Sequence, residues 1–175
     1  TIEKPQPLVP RALRFTVPER VDVHGKVRLP LDEAAVAAQV SRLKDNGIEA
    51  VAICFMHSYV NPAHEQRAGE ILRKAMQELS ITLSCEVCPE IREYERTSTA
   101  VANAYVQPLM SGYLARMDDA LRAEQFRGAV YLVTSGGGLT SIDTARKFPV
   151  RLVESGPAGG AGVRLGDPEP AREVP

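Results

Sequence analysis

The 175-residue chain is 44% hydrophobic and 25% charged, enough to bury the core of one ordinary domain or two small lobes. A net charge of −1, with 5% aromatics and no tryptophan, argues against nucleic acid and anionic membrane surfaces as partners. No apolar run approaches the length of a membrane span, and the proline-rich residues 1–10 are not a signal peptide; a start on Thr1 without methionine reads as a fragment or a processed chain.

Residues 1–12 read as a linker. Leu13, Phe15 and Val17 alternate with polar residues and predict a short strand over 13–17. Residues 21–27 predict a hairpin turned at His24-Gly25, which makes His24 a turn residue and not a ligand. Asp32 is a good N-cap, Val36, Val40 and Leu43 share one helical face, and Asn46-Gly47 closes the helix. The unbroken apolar run at 50–55 predicts a strand of a parallel sheet. Asn61-Pro62 opens a second helix, whose stripe runs through Ala68, Ile71, Leu72, Ala75, Met76 and Leu79. A third strand is expected over 81–85, so the middle of the chain reads β-α-β.

The cysteines are Cys54, Cys85 and Cys88. Cys54 falls in the apolar strand as a core residue, and Cys85-x-x-Cys88 is a lone pair without a second pair or spaced histidines. Nor does the spacing of Cys54, His57 and His64 imply a zinc site, so no metal ligands are assigned. An odd count without a disulfide pattern suits a reducing cytoplasm.

Thr97 or Ser98 is expected to cap a long helix that runs to about residue 125, with Pro108 inside it. This helix reads as the spine between two lobes. Arg96 and Thr97 at its start are polar candidates for function; the alternative is a capped, solvated helix start. Residues 129–134 predict a strand that delivers Ser135-Gly136-Gly137-Gly138 into a helix, and residues 149–153 a last strand before Ser155-Gly156-Pro157-Ala158-Gly159-Gly160. Glycine turns between strand and helix bring backbone N–H groups close to phosphate. Neither stretch fits the P-loop or dinucleotide patterns, and both equally suit tight connections with no ligand. From residue 164 the chain loses its periodicity.

Six segments stand in a telling order: Val17-Pro18-Glu19-Arg20-Val21, Cys54-Phe55-Met56-His57-Ser58-Tyr59, Asn61-Pro62-Ala63-His64-Glu65, Tyr94-Glu95-Arg96-Thr97-Ser98-Thr99, Thr134-Ser135-Gly136-Gly137-Gly138-Leu139 and Ser155-Gly156-Pro157-Ala158-Gly159-Gly160. Together they resemble the hydantoinase A / 5-oxoprolinase family, over nearly the whole chain. The resemblance implies part of an actin-like (ribonuclease H-like) ATPase fold of α/β lobes. Residues 13–94 would end the first lobe and 95–163 begin the second, with 164–175 a disordered or aberrant tail. It also implies ATP and Mg²⁺ as cofactors, a hydantoinase B-type partner subunit, and phosphorylation of a cyclic amide oxygen so that the ring C–N bond can be hydrolysed.

On that likeness Ser135, Gly136, Gly137, Gly138, Ser155, Gly156, Gly159 and Gly160 would be nucleotide contacts, and Arg96 and Thr97 would face the substrate. Three departures temper it. The family's Asp-Gly-Gly-Thr type phosphate loops are not in this sequence, Gly136 stands where the family usually has asparagine, and the tail from Arg164 differs. The chain is therefore expected to be an inactive piece that binds no nucleotide tightly and self-associates through uncovered apolar faces. The rival expectation is a non-catalytic interaction module or remnant subunit of a hydantoinase- or acetone carboxylase-like complex.

Overall fold

A computed structural model describes residues 6–166, with side chains as far as Gly160. The chain falls into two compact units, Thr1–Pro108 and Leu109–Pro175.

The first unit opens with a 3-10 turn, Arg11–Leu13. Residues 13–17 have the expected alternation, with Leu13, Phe15 and Val17 half-buried, but they pair with no strand. Phe15 and Val17 pack on the core as an extended segment, and the Arg42 guanidinium lies 4.2 Å over the Phe15 ring. Strands β1 (Arg20–Val21) and β2 (Val27–Leu29) form the expected antiparallel hairpin. Helix α1 (Glu33–Asp45) starts where Asp32 Oδ1 accepts the Ala35 N–H at 2.8 Å, and Gly47 leaves it at φ +60°.

Strand β3 (Ala50–Ile53), helix α2 (Ala63–Ala75) and strand β4 (Ser80–Leu83) make the β-α-β unit, with β3 and β4 parallel from Ala50↔Ser80 to Ile53↔Leu83. Val36, Leu43, Ile53, Ala68, Leu72, Leu79 and Leu83 form its core. Gly69 lets α2 lie close to β4, because a Cβ there would stand 3.1 Å from Leu83 Cδ2. The expected third strand stops two residues early, and Cys85 lies instead in the short helix α3 (Ser84–Val87).

Helix α4 (Glu93–Ala123) begins four residues before the expected cap at Thr97, and Pro108 lies inside it where the two units divide. In the second unit, β5 (Tyr131–Val133) and β6 (Leu139–Ser141) pair antiparallel. The stretch 134–138 is therefore a hairpin loop and not a strand-to-helix turn. Helix α5 (Ile142–Lys147) follows, with Ser141 Oγ accepting the Thr144 N–H. The strand expected over 149–153 is a 3-10 turn, Pro149–Leu152; Pro149 fits its first position, and a run of four residues cannot separate the two periods. Helix α6 (Ser155–Gly166) starts two residues before Pro157 and passes Val163 by three residues. Leu114, Ile142 and Ala145 form the second core, with Met117, Val130, Leu132 and Leu152 around them. No helix among the described residues is long and apolar enough to cross a membrane.

Candidate functional site

The two glycine bends both belong to the second unit, at the ends of β5 and of the 3-10 turn. In the hairpin loop, Thr134 N and Oγ1 both donate to Gly138 O, at 2.8 and 3.2 Å, and Gly137 N donates to Thr134 O at 2.9 Å. Gly137 sits at φ +79°, a conformation that favours glycine. Ser135 N and Oγ both donate to Arg151 O, at 2.8 and 3.0 Å, which ties the loop to the 3-10 turn. Among the described residues, the backbone N–H groups of Gly136 and Gly138 have no acceptor, and residues 135–138 are exposed. A Cβ at Gly136 or Gly137 would meet nothing within 4 Å, so the loop has open space beside it.

At the second bend Glu154 takes φ +59° and α6 begins at Ser155. The first N–H groups of a helix have no intrahelical acceptor and attract anions. Here they include those of Ser155 and Gly156, while Pro157 has none. Gly156 and Gly160 also face open space, while a Cβ at Gly159 would lie 3.8 Å from the Val133 side chain. Val133, on the strand that leads into the first bend, thus seats the helix of the second. The arrangement can present backbone donors to an anion. Among the described residues no group of three or more His, Cys, Asp or Glu side chains is placed to hold a metal ion.

Arg96 and Thr97 lie in the first unit, and their side chains engage its interior. Arg96 is fully buried. Its Nε donates to Ser84 Oγ at 3.1 Å, Nη1 to Glu90 O at 3.0 Å and Nη2 to Phe55 O at 2.8 Å. The Thr97 hydroxyl bonds the Cys54 thiol. Across Ser84 lies Glu65, also fully buried, with Oε1 accepting from Phe55 N at 2.7 Å and Ser84 Oγ at 2.6 Å, and Oε2 from Cys85 N at 2.9 Å. The single Ser84 proton goes to Glu65, so at the 3.2 Å contact with Ser58 Oγ it is Ser58 that donates. This cluster joins α3, α2, α4 and the segment after β3 into one polar knot. Close by, His64 Nδ1 and Glu19 Oε2 stand 2.8 Å apart with little exposure.

Sequence reasoning missed Glu65, Ser84 and Ser58. Glu65 stands in the first turn of α2, where carboxylates are favoured anyway, and Ser84 directly follows β4. It passed over His57 and Glu93 as well. Glu93 is held below the usual carboxylate range. Burial works to raise it but is outweighed by the N–H groups of its own residue and of His57 and by the Arg96 charge.

The same burial governs the thiols. Desolvation, helped by the Glu65 charge, pushes Cys54 up to about 12 and raises Cys85 as well. In the folded chain at pH 8, iodoacetamide is therefore expected to leave both unmodified over hours, and all three cysteines should react in urea. Mass spectrometry of the alkylated chain checks this; rapid labelling of Cys85 in the native protein would contradict its place against Glu65.

Comparison with known proteins agrees with this architecture. The family model described as hydantoinase/oxoprolinase N-terminal region matches residues 2–76, and the one described as hydantoinase/oxoprolinase matches residues 96–166. An uncharacterised protein of Methanocaldococcus jannaschii is 43% identical over 91% of the chain and 23% of its own length. Caprolactamase subunit alpha of Pseudomonas jessenii is 40% identical over 86% of the chain and 22% of its own length. The crystal structure of the ATP-dependent caprolactamase from that organism superposes with a TM-score of 0.83 at 40% identity, over 92% of this chain and 23% of that one. A nucleotide-free acetone carboxylase, from a study of ATP-dependent acetone carboxylation, superposes at 0.84 and 27%, over 94% and 24%. The chain thus spans less than a quarter of the length of each.

Proposed function

Because the chain belongs to the hydantoinase/oxoprolinase family, we propose that it is part of an ATP-dependent enzyme acting on a cyclic amide, in an actin-like ATPase fold. Its two glycine bends contribute to the nucleotide site. The observation that carries this reading is the set of free backbone donors on two exposed bends tied together through Arg151. Bound ATP would supply a phosphoryl group that turns an amide oxygen into a leaving group.

The residues fit the phosphates. Gly136 and Gly138 have N–H groups to give, and the first turn of α6 adds a partial positive charge. Among the described residues no group of three or more His, Cys, Asp or Glu side chains is placed to hold a metal ion, and no step is routed through Mg²⁺. Arg96 and Thr97 serve the substrate side as positioning residues, by holding the segment after β3 against α4. Relatives named as subunits, such as caprolactamase subunit alpha, favour a second subunit as partner; its B type rests on the family resemblance alone. Free thiols and the use of ATP favour a cytoplasmic setting.

The bends are a minority of a nucleotide site, since the relatives' further sequence has no counterpart in these 175 residues. Calorimetric titration of the chain with an ATP analogue and Mg²⁺ is expected to give millimolar binding or weaker. Micromolar binding would contradict this partial share. In the longer protein, Gly137→Val and Gly159→Val are expected to abolish amide-dependent ATP hydrolysis: the first forces a β-branched residue to φ +79°, and the second pushes α6 off Val133. Unchanged turnover in folded variants would remove the bends from the site.

A further inference from the structure

His57 holds the buried side-chain polar atom, Nδ1, that finds no hydrogen-bond partner among the described residues. Its backbone takes φ +55°, a left-handed conformation that is strained for a non-glycine residue. The turn is locked there, because His57 O accepts from Val60 N at 3.0 Å and from Asn61 N at 3.2 Å. Its neighbours are fixed from the core. Phe55 is bonded through its N–H to Glu65 and through its carbonyl to Arg96, and Ser58 reaches Ser84. The buried knot therefore immobilises the chain on either side of His57 and leaves the imidazole itself unused.

What faces that imidazole is Glu93. Its Oε1 stands 3.7 Å from Nδ1, 3.4 Å from the His57 N–H and 3.6 Å from Arg96 Nη2. The Tyr59 ring lies edge-on at 6.1 Å, and the Arg96 guanidinium stands over that ring, 5.5 Å from its centroid. The charged or titratable groups around the ring are thus Glu93, Arg96 and Tyr59. Both partners remain part-open, with side-chain exposures of 23% for His57 and 34% for Glu93, and Met56 and Tyr94 beside them are exposed.

We propose that His57 and Glu93 form a proton-transfer pair on the substrate side of the first unit. Glu93 takes the Nδ1–H and the lone pair on Nε2 accepts a proton from water or from the N–H of a cyclic amide. Closing the 3.7 Å gap to about 2.8 Å makes an ordinary charge-assisted bond. A carboxylate on Nδ1 sets the tautomer of a histidine base and stabilises the imidazolium that forms. In the transfer, an O–H bond of water breaks and its proton goes to Nε2. The electron pair of that O–H bond becomes a C–O bond to the carbonyl carbon, and the C=O π pair moves onto the carbonyl oxygen to give a tetrahedral adduct. The amide as ligand rests on the function proposed above; the pair itself does not.

The test reads ring nitrogens. In the ¹⁵N-labelled chain, long-range ¹H–¹⁵N spectra above the imidazole titration should show His57 as the Nδ1–H tautomer, and Glu93→Gln should return it to Nε2–H. Adding caprolactam, hydantoin or 5-oxoproline to tens of millimolar should shift the His57 ring proton and leave that of His24, which is exposed on the hairpin. Either shift should vanish in His57→Asn, which tolerates the left-handed turn; circular dichroism checks that this variant folds. An Nε2–H tautomer in the parent chain, or one indifferent to Glu93→Gln, overturns the pair. The expected tautomer with no response to any of the three amides overturns the substrate assignment and with it the proposal. Neither result touches the nucleotide reading, which the glycine-bend amides decide separately.

Discussion

Replacing Glu65 with alanine is expected to cost about 3–5 kcal/mol, much of the stability of an ordinary domain. The carboxylate is fully buried, and its loss strands the N–H groups of Phe55 and Cys85 and the hydroxyl of Ser84. It also leaves the Arg96 charge buried without a nearby anion of equal burial. Glutamine should rescue little. Both carboxylate oxygens accept a backbone N–H, so either orientation of the amide turns an NH₂ group toward a donor. Arg96→Ala should cost a similar amount. The double variant should lose less than the two singles together, because both act through Ser84. Urea unfolding followed by far-ultraviolet circular dichroism measures all four, the chain having no tryptophan. A Glu65→Ala protein with an unchanged midpoint would contradict the buried knot.

The second large effect is expected at Leu114. It is 1% exposed and stands at the centre of a small core with Ile142 and Ala145. Leu114→Ala should cost about 2–5 kcal/mol, toward the upper end, because so few side chains are available to collapse into the space. The core that fails is the one under β5, which carries the first glycine bend and, through Val133, seats the second. Amide hydrogen exchange should show residues 131–133 and 142–147 losing protection. Protection equal to that of the parent chain would mean that β5 and α5 are held by something other than the Leu114 core.

What could be read from the sequence was what local chemistry decides. Asp32, the stripe Val36-Val40-Leu43 and Gly47 define α1 by capping, periodicity and a left-handed exit, all within one short stretch. The β-α-β unit was legible because β3 is short, apolar and followed by an amphipathic helix. What escaped depends on partners distant in the chain. Strand β6 is three residues long, and only its pairing with β5 makes it a strand. Arg96 and Glu65 belong to stretches dense in charge, which usually face water. Their burial follows from donors and acceptors at residues 55, 84, 85 and 90 that no spacing rule links to them. The glycine bends were legible as bends. Their setting, a hairpin loop tied by Ser135 to Arg151, was not, because that tie spans sixteen residues.

The central claim is that these bends offer backbone amides to the phosphates of a nucleotide. Amide chemical-shift mapping of the ¹⁵N-labelled chain, titrated with Mg²⁺ and a non-hydrolysable ATP analogue to several millimolar, tests it most directly. Concentration-dependent shifts centred on Gly136, Gly138, Ser155 and Gly156 are expected. Shifts confined to other residues, or bends that stay silent while the nucleotide binds elsewhere, would contradict it.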